Sequence, residues 1–470
     1  MTTVQGNAPL SSPLSEAATY RKIAWRLIPF VFICYLCSYL DRINVSFAKL
    51  QMLKDLGLSE AVYGAGASVF FVGYLIFEIP SNLLLLRVGP RRWIARIMIT
   101  WGLISAAMMF VRTPTTFYVA RFFLGLAEAG FFPAILLYLT YWFPQSRRSK
   151  VIALFMTGIP MSGVVGGPLS GWIMHALGGV HGLAGWQWLF VLEGIPTAIL
   201  GCMAYFYLDD KVSDAKWLTP VEKTMVSDNL RSEETTRVMH SIRDGLLNPK
   251  MLLLSGIYFF YTMGLYGVTF WLPTLVKASG VSDPLNIGLL TALPYAAATI
   301  AMLTVGQRSD VTGERRWHLA VPGFVGAIGL YFSVTYAHST VIAMLFLTIG
   351  TAGVLTTISQ FWVLPPAILG GAAAAAGLAL ANSVGSLSGV VSPYVIGLIQ
   401  TATGSTGNGV YGLAVSLLIG NALVLFVLPA GLVNSPPKRD RMAASAAAAM
   451  GGAASSASMA SDASFKTRTH

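Results

Sequence analysis

Long apolar runs alternate with short polar stretches along almost the whole chain. The runs are close to the roughly 20 residues that an α-helix needs to cross the hydrocarbon core of a bilayer. The pattern therefore predicts a helical membrane protein rather than a globular domain. The twelve predicted spans are residues 25–47, 62–86, 94–111, 115–141, 151–176, 187–208, 250–276, 286–307, 318–337, 341–366, 372–400 and 410–433.

One long polar segment, residues 209–249, divides the predicted spans six and six. The fold class that follows is an all-α membrane protein with two six-helix bundles, residues 22–208 and 250–433, joined by that segment as a linker. Residues 1–21 are polar, and residues 434–470 are a low-complexity sequence rich in alanine and serine. Such sequences bury too little apolar surface to fold, so we predict that both tails are disordered.

The two predicted bundles share a motif. LRVGPRRW follows the second span at residues 86–93, and DVTGERRW follows the eighth at residues 310–317, an offset of 224 residues. In many secondary transporters, repeats of six spans place the binding site between the two halves. We therefore expect two pseudo-symmetric halves with a site between them. Structural or gating roles are predicted for the turn residues Arg87, Gly89, Arg91, Asp310, Gly313 and Arg315.

The composition agrees with a membrane protein, because 55% of the residues are apolar and 11% are charged, against about 25% charged in soluble domains. The net charge of +11 comes mostly from basic clusters in the loops on one side of the predicted spans. This positive-inside pattern predicts a multi-pass membrane protein with both termini in the cytoplasm. Because the clusters follow the topology, no basic patch is left for nucleic acid.

No residue pattern indicates an enzyme or a metal site. Cys34, Cys37 and Cys202 lie in apolar runs, and the histidines are scattered without the spacing of metal ligands. We therefore expect no catalytic residue, no cofactor and no metal, in a monomer surrounded by the lipid bilayer.

Charged side chains well inside the predicted spans, away from their ends, are confined to the first half. A charge at mid-bilayer costs roughly 2.5–3.5 kcal/mol, so each one is a functional candidate. Glu78 and Glu193 stand beside prolines, where a cap or gate contact is the favoured role. The six charged residues are Asp41, Arg42, Glu78, Arg121, Glu128 and Glu193.

The depths of two arginines match. Arg42 lies about 21 Å from one membrane surface, and Arg121 lies about 9 Å from the other, at 1.5 Å per helical residue. In a hydrocarbon core of about 30 Å these levels coincide, which predicts one basic pair in a shared cavity. Glu128 is two turns from Arg121 on the same helix face. Asp41 is rotated by about 100° from Arg42, so we expect one to face the cavity and the other a neighbouring helix.

Two interpretations of these charges remain open. The acids and arginines could neutralise one another and fix the first half structurally, or they could bind and release cargo. An apolar core would fix the bundle at a lower desolvation cost, which favours a binding role. The opposite wall of the cavity would come from uncharged polar and aromatic residues. The candidates are Tyr39, Tyr74, Tyr258, Tyr261, Ser359, Gln360, Trp362, Asn382 and Ser383.

The stretches YLDR, FEIPSN and RFFLGLAEAGFFPA, together with the repeated basic turn, resemble the anion:cation symporter branch of the major facilitator superfamily. The first turn departs from the family signature, because Leu86 stands where the family usually has aspartate. The resemblance implies the twelve-helix fold of that family. It also implies that Arg42 and Arg121 bind a substrate carboxylate and that Asp41 and Glu128 carry protons.

The chemistry of these residues fits that role, since arginine binds carboxylates in a bidentate way and a desolvated acid can take up a proton near neutral pH. We expect a proton-coupled importer of a small organic anion, such as tartrate, a sugar acid or an aromatic carboxylate. The alternatives are an exchanger or exporter of the same fold, and a membrane sensor that binds without transporting.

Overall fold

The computed structural model describes residues 13–234, 246–365 and 371–434, and within these residues the regular elements are helices. The principal helices are α1 (Pro13–Leu56), α2 (Glu60–Val88), α3 (Pro90–Ala107), α4 (Pro114–Glu128), α5 (Phe131–Thr140), α6 (Gln145–Met156), α7 (Gly158–Ala176), α8 (Gly185–Tyr207), α9 (Pro220–Glu234), α10 (Pro249–Ala278), α11 (Pro284–Thr312), α12 (Arg316–Thr335), α13 (Thr340–Phe361), α14 (Gly371–Thr403), α15 (Thr406–Ala422) and α16 (Ala430–Val433).

Eleven helical segments of the described chain are long and apolar enough to cross a membrane. The remaining predicted span, residues 151–176, corresponds to α6 and α7, whose helix is interrupted at Thr157. The hydropathy of α7 is lowered by its five glycines, which add no side chain, and by Ser162, Ser170 and His175. The predicted arrangement of two six-helix halves, α1–α8 and α10–α16, is confirmed. Below, the linker face is the end of the bundle that carries α9, and the opposite face carries the α1–α2 turn.

The fourth predicted span, residues 115–141, is not one continuous helix. It breaks between α4 and α5, where Gly130 adopts a left-handed conformation with φ 88° that favours glycine. The freed carbonyl of Ala129 accepts a hydrogen bond from the Ser81 hydroxyl at 2.7 Å. A broken helix is tolerated inside a membrane when a neighbouring polar group satisfies the backbone in this way.

Part of the predicted N-terminal tail is ordered, because residues 13–21 form the first turns of α1. The Thr19 hydroxyl bonds to the Ser15 carbonyl, and the buried Tyr20 ring packs near Phe143. These contacts supply the apolar burial that the polar sequence did not suggest. Residues 1–12 and 435–470 of the predicted tails lie outside the described residues.

The linker helix α9 packs against the first half. Lys22 of α1 forms an ion pair with Glu222 at 2.9 Å, and the Asn229 amide donates to the Tyr20 hydroxyl at 3.3 Å. These two contacts attach the linker helix α9 to the N-terminal part of α1.

The repeated turns have equivalent hydrogen bonds. After α2, Asp210 accepts the backbone N–H of Arg91 at 2.9 Å; after α11, Asn434 accepts the backbone N–H of Arg315 at 2.8 Å. Asp210 follows the last helix of the first half and Asn434 follows the last helix of the second half. The two acceptors are separated by 224 residues, the same offset that separates the two copies of the motif. The halves differ where the sequence departs from the family signature, since Leu86 is exposed, whereas its counterpart Asp310 forms an ion pair with Arg315 at 2.7 Å.

Glycine allows close packing between the halves. A Cβ atom on Gly288 of α11 would lie 2.2 Å from the carbonyl oxygen of Gly167 on α7, and a Cβ on Gly171 would lie 2.5 Å from the carbonyl oxygen of Pro284. The two backbones are therefore in direct contact, as small residues permit in membrane helices.

Gly288→Ala should lower the melting temperature of the purified protein. Its added methyl group meets backbone rather than a flexible side chain, and overpacking of this kind costs about 1–3 kcal/mol. The matched control is Gly412→Ala on α15, where an added Cβ meets nothing within 4 Å. Equal melting temperatures for the two variants would contradict direct backbone contact at Gly288.

Candidate substrate-binding cavity

A cavity of about 50 Å³ lies between the two halves. That volume holds a few water molecules, so a larger cargo requires the halves to move apart. From the first half it is lined by Tyr35, Ser38, Tyr39, Arg42, Phe71, Tyr74, Glu128, Phe131, Phe132, Met156 and Ile159. From the second half it is lined by Tyr258, Leu265, Tyr266, Ile358, Trp362, Asn382 and Ser386.

Arg42 and Glu128 are the only charged groups among the described residues that line this cavity, and they form an ion pair. Nη2 of Arg42 donates to Oε1 of Glu128, and the Ser38 hydroxyl donates to the same oxygen at 3.1 Å. Tyr35, Ser38 and Arg42 share one face of α1 because they are spaced by three to four residues. The first half therefore supplies all of the charge on the cavity wall.

The position of Glu128 makes its charge depend on Arg42. Glu128 is the last residue of α4, where the helix breaks, and the partial negative charge of a helix C-terminus disfavours a carboxylate. The Arg42 guanidinium balances that effect and lies 4.9 Å from the ring centre of Tyr39 and 6.0 Å from that of Tyr74. Both rings can also attract the cation.

Asp41 points away from the cavity, into the packing between α1, α3 and α8. Its carboxylate accepts hydrogen bonds from the Trp101 indole at 2.8 Å, the Ser105 hydroxyl at 2.8 Å and the Thr197 hydroxyl at 2.9 Å. The prediction that Asp41 and Arg42 face different surroundings is met, with Arg42 on the cavity side.

Arg121 is placed differently from the prediction of a shared cavity. The side chain is fully buried and does not line the cavity. Its Nε donates to the Gly66 carbonyl at 3.3 Å, while Nη1 and Nη2 have no hydrogen-bond partner among the described residues. The guanidinium carbons of Arg121 and Arg42 lie 4.7 Å and 5.5 Å from the Phe70 ring centre, so the two arginines are close in depth but lie on different sides of the cavity wall.

The second-half candidates divide into two groups. Tyr258, Trp362 and Asn382 line the cavity as expected. Four others do not, because each side chain is engaged elsewhere or points away. Tyr261 donates to Asn421 at 2.7 Å, Ser359 bonds to the Thr356 carbonyl, Gln360 bonds to Ser359, and Ser383 bonds to Glu78.

Glu78 connects the halves beside the cavity. Its carboxylate accepts a hydrogen bond from the Asn382 amide at 2.6 Å and one from the Ser383 hydroxyl at 3.4 Å. These bonds join α2 to α14, the kind of gate contact that the sequence favoured for Glu78.

The sequence analysis missed several aromatic residues of the wall, Tyr35 and Tyr266 among them. Their helical spacing could have identified them, since Tyr35 precedes Tyr39 by one turn and Tyr266 follows Tyr258 by eight residues on the same face. Ser38, which contacts Glu128, follows from the same spacing on α1.

Contacts between the halves close the cavity towards the opposite face. Lys49 of α1 binds Glu60 at 2.7 Å and the Thr274 hydroxyl of α10 at 3.0 Å, and the Tyr63 hydroxyl donates to the Phe270 carbonyl at 2.8 Å. Beyond this layer lies a separate pocket of about 480 Å³, which shares no lining residue with the cavity.

At the rim of the opposite face, His175 Nδ1 lies 2.7 Å from Asp283 Oδ1. Asp283 caps the N-terminus of α11. The hydrogen bond from the Asn286 N–H, and to a smaller extent the contact with His175, lowers the pKa of the Asp283 carboxyl below its usual value. The described residues contain no group of three or more histidine, cysteine or acidic side chains that could hold a metal ion.

Comparisons with known proteins agree with this architecture. The family described as Major Facilitator Superfamily matches residues 31–393. The chain is 49% identical to the "Putative metabolite transport protein NicT" of Pseudomonas putida, over 89% of this chain and 96% of that protein. It is 44% identical to a "Putative tartrate transporter" of Agrobacterium vitis, over 90% of this chain and 93% of that protein.

A solved structure shows the same fold. The bacterial homologue of the human lysosomal transporter Spinster, in an inward-facing and occupied conformation, aligns with a TM-score of 0.71 at 15% identity. The alignment covers 89% of this chain and 99% of that chain.

Proposed function

The chain belongs to the major facilitator superfamily, and on that premise we propose that it takes up a small organic anion together with protons. It is a multi-pass membrane transporter and not an enzyme. We propose the substrate class, the coupling to protons and the inward direction of transport.

The observation that carries the proposal is the Arg42–Glu128 ion pair on the cavity wall. A guanidinium inside a low-dielectric cavity is a strong partner for a carboxylate, which it can bind through two hydrogen bonds. A carboxylate cargo would therefore compete with Glu128 for Arg42.

Competition for Arg42 couples the anion to the proton. When the cargo occupies Arg42, Glu128 loses its counter-charge at the C-terminus of α4, and protonation becomes the favourable way to remain buried. Such linkage is reciprocal, so a protonated Glu128 leaves Arg42 free and strengthens anion binding. In this cycle, cargo and proton are loaded together on one face and released together on the other.

Arg121 has a second role in the proposal. A buried guanidinium with two nitrogens that lack partners is costly, because charged groups need compensating hydrogen bonds. Arg121 lies beside the same Phe70 ring as Arg42. We propose that it meets the cargo's anionic groups once the halves move apart and Phe70 shifts.

The membrane orientation follows from charge. The basic turns lie at the linker face together with the ends of the described chain, Pro13 and Asn434, so the positive-inside rule supports a cytoplasmic location for that face and for both termini. The bacterial relatives support the inner membrane of a bacterium. Moving one net positive charge inward through 100 mV supplies about 2.3 kcal/mol, which corresponds to an accumulation of about 50-fold. We propose that a monomer suffices, since the cavity is formed within one chain.

Thermal-shift screening of the purified protein tests the binding step. L-tartrate, gluconate and benzoate represent hydroxy-diacids, sugar acids and aromatic acids, and a ligand that binds the folded state raises the melting temperature. We expect at least one of these carboxylates, and not its uncharged amide or alcohol analogue, to raise it. Equal shifts for the acid and its neutral analogue would contradict recognition by arginine.

Arg121→Ala should weaken binding of that carboxylate by at least roughly tenfold, since one charge-assisted hydrogen bond contributes about 1.5–3 kcal/mol. Because the variant removes a buried charge of which two nitrogens, Nη1 and Nη2, have no hydrogen-bond partner in the described chain, the melting temperature of the free protein should not fall. The matched control is Arg112→Ala, whose guanidinium bonds to backbone carbonyls outside the cavity. Wild-type affinity in Arg121→Ala would contradict a role in binding.

A further inference from the structure

A second pair of acids lies inside the first half, away from the cavity. Asp41 of α1 and Glu193 of α8 are both buried, with 1% and 5% of their surfaces exposed. The Thr197 hydroxyl, one turn beyond Glu193 on α8, lies 2.9 Å from Asp41 Oδ2 and 3.2 Å from the backbone carbonyl oxygen of Glu193. Asp41 therefore contacts the same turn of α8 that carries Glu193.

The two acids are solvated very differently. Asp41 accepts three short hydrogen bonds from neutral donors, the arrangement that stabilises an ionised carboxylate. Glu193 accepts one side-chain bond on Oε1, from the Ser170 hydroxyl at 2.8 Å, and its buried Oε2 has no hydrogen-bond partner within bonding distance in the described chain. The amide of Asn44 on α1 is a further polar neighbour of Glu193, and that amide lies 3.4 Å from Asp41 Oδ1. An ionised carboxylate with an unsatisfied oxygen is strongly disfavoured in such surroundings.

The helices packed around Glu193 supply no compensating cation. The titratable neighbours of Glu193 on α1 are Asp41 and the Cys37 thiol. On α7 its neighbour is the Ser170 hydroxyl. The one residue of α7 that could carry a positive charge, His175, pairs with Asp283 at the opposite face. From α3 come only the neutral donors to Asp41. The ion pairs of the described residues do not include Glu193, and the nearby Asp41 would repel a second negative charge.

We infer that Glu193 is protonated in this structure and is a second proton-binding residue, beside Glu128, in the transport cycle. The inference rests on the proposed function for its place in transport. Two neighbouring acids whose surroundings differ in this way can take different parts in proton transfer. Of the two, Glu193 has the fewer hydrogen-bond donors and is the one that we assign the proton.

The location of Glu193 gives its proton a mechanical consequence. Its hydrogen-bond partner Ser170 belongs to α7, and the neighbouring glycines Gly167 and Gly171 contact the backbone of α11 in the second half. When Glu193 releases its proton to water, the site gains one negative charge and Ser170 becomes a donor to a carboxylate rather than to an acid. The protonation state of Glu193 can therefore affect the packing of α7 against α11, the two helices that join the halves.

Infrared spectroscopy of the purified protein tests the protonation state without any transport. A protonated carboxylic acid has a carbonyl stretch distinct from that of a carboxylate, and Glu193→Gln should remove one such band from the wild-type spectrum at neutral pH. The glutamine mimics the neutral acid, so the variant should fold. Glu314→Gln, which changes an acid that caps α12, should leave the band unchanged. Identical spectra for wild type and Glu193→Gln would overturn the inference.

The number of protons per anion tests the place of Glu193 in the cycle. In proteoliposomes supplied with L-tartrate, gluconate or benzoate, the reversal potential should show one proton fewer per anion for Glu193→Gln than for wild type. An unchanged ratio would overturn the role of Glu193 while leaving proton-coupled transport intact. A wild type that transports none of the three anions would instead count against the proposed function, and the infrared result would then decide the protonation of Glu193 by itself.

Discussion

Arg42→Ala loses carboxylate binding, with the affinity of the purified protein falling at least roughly a hundredfold. Arg42 is the only cation among the described residues that lines the cavity, and Arg121, the other arginine beside Phe70, does not line it. Breaking a buried ion pair costs about 3–5 kcal/mol, and each 1.4 kcal/mol is a factor of ten in affinity. Arg42→Lys should be intermediate, because lysine keeps the charge and loses the bidentate geometry.

Isothermal titration with the carboxylate found by thermal shift measures this loss. Because Arg42→Ala leaves Glu128 buried without its counter-charge, the double variant Arg42→Ala/Glu128→Gln removes both charges and should regain thermal stability without regaining binding. Arg96→Ala is the matched control, since Arg96 stacks on Trp93 at 3.9 Å and does not line the cavity. Binding by the stable double variant at wild-type affinity would show that Arg42 does not hold the cargo.

Glu128→Gln should weaken the coupling of transport to the proton gradient. Glutamine can keep the contacts of Glu128 to Ser38 and Arg42 but cannot release or take up a proton. We therefore expect counterflow exchange of labelled anion to persist, while accumulation driven by an inward proton gradient falls to the level that the second proton site, Glu193, supports alone. The same variant should bind the anion with a weaker dependence on pH than the wild type, because the competition for Arg42 no longer titrates.

The control for this experiment is Glu222→Gln, which removes an acid paired with Lys22 at the linker face and should retain coupled uptake. If Glu128→Gln accumulates the anion as strongly as the wild type when the gradient is imposed, Glu128 is not a coupling acid. Glu193 would then be the sole proton carrier of the pair.

Charge and hydropathy were enough to predict the helical halves, their repeat and the level of the charged residues. The opposite orientations of Asp41 and Arg42 followed from helix geometry, because adjacent residues differ by about 100° whatever their neighbours are. Matched depth for Arg121 followed from rise per residue in the same way.

The positions of several side chains depend on tertiary packing, which local sequence patterns do not contain. The sequence gives no sign that Phe70 lies beside both arginines, so it could not predict that Arg121 is kept off the cavity wall. The helix break at Gly130 depends on Ser81, a residue of another helix that satisfies the freed carbonyl. The sequence favoured a cap or gate role for Glu193 beside a proline. That its Oε2 atom has no hydrogen-bond partner in the described chain follows only from the folded structure.

Uptake by the wild-type protein in proteoliposomes is the most direct test of proton-coupled anion import. L-tartrate, gluconate and benzoate are supplied outside, with and without an inward proton gradient. The account predicts that at least one of them accumulates above its external concentration when the gradient is present and leaves again when a protonophore is added. Equal uptake of each anion with and without the gradient would contradict it.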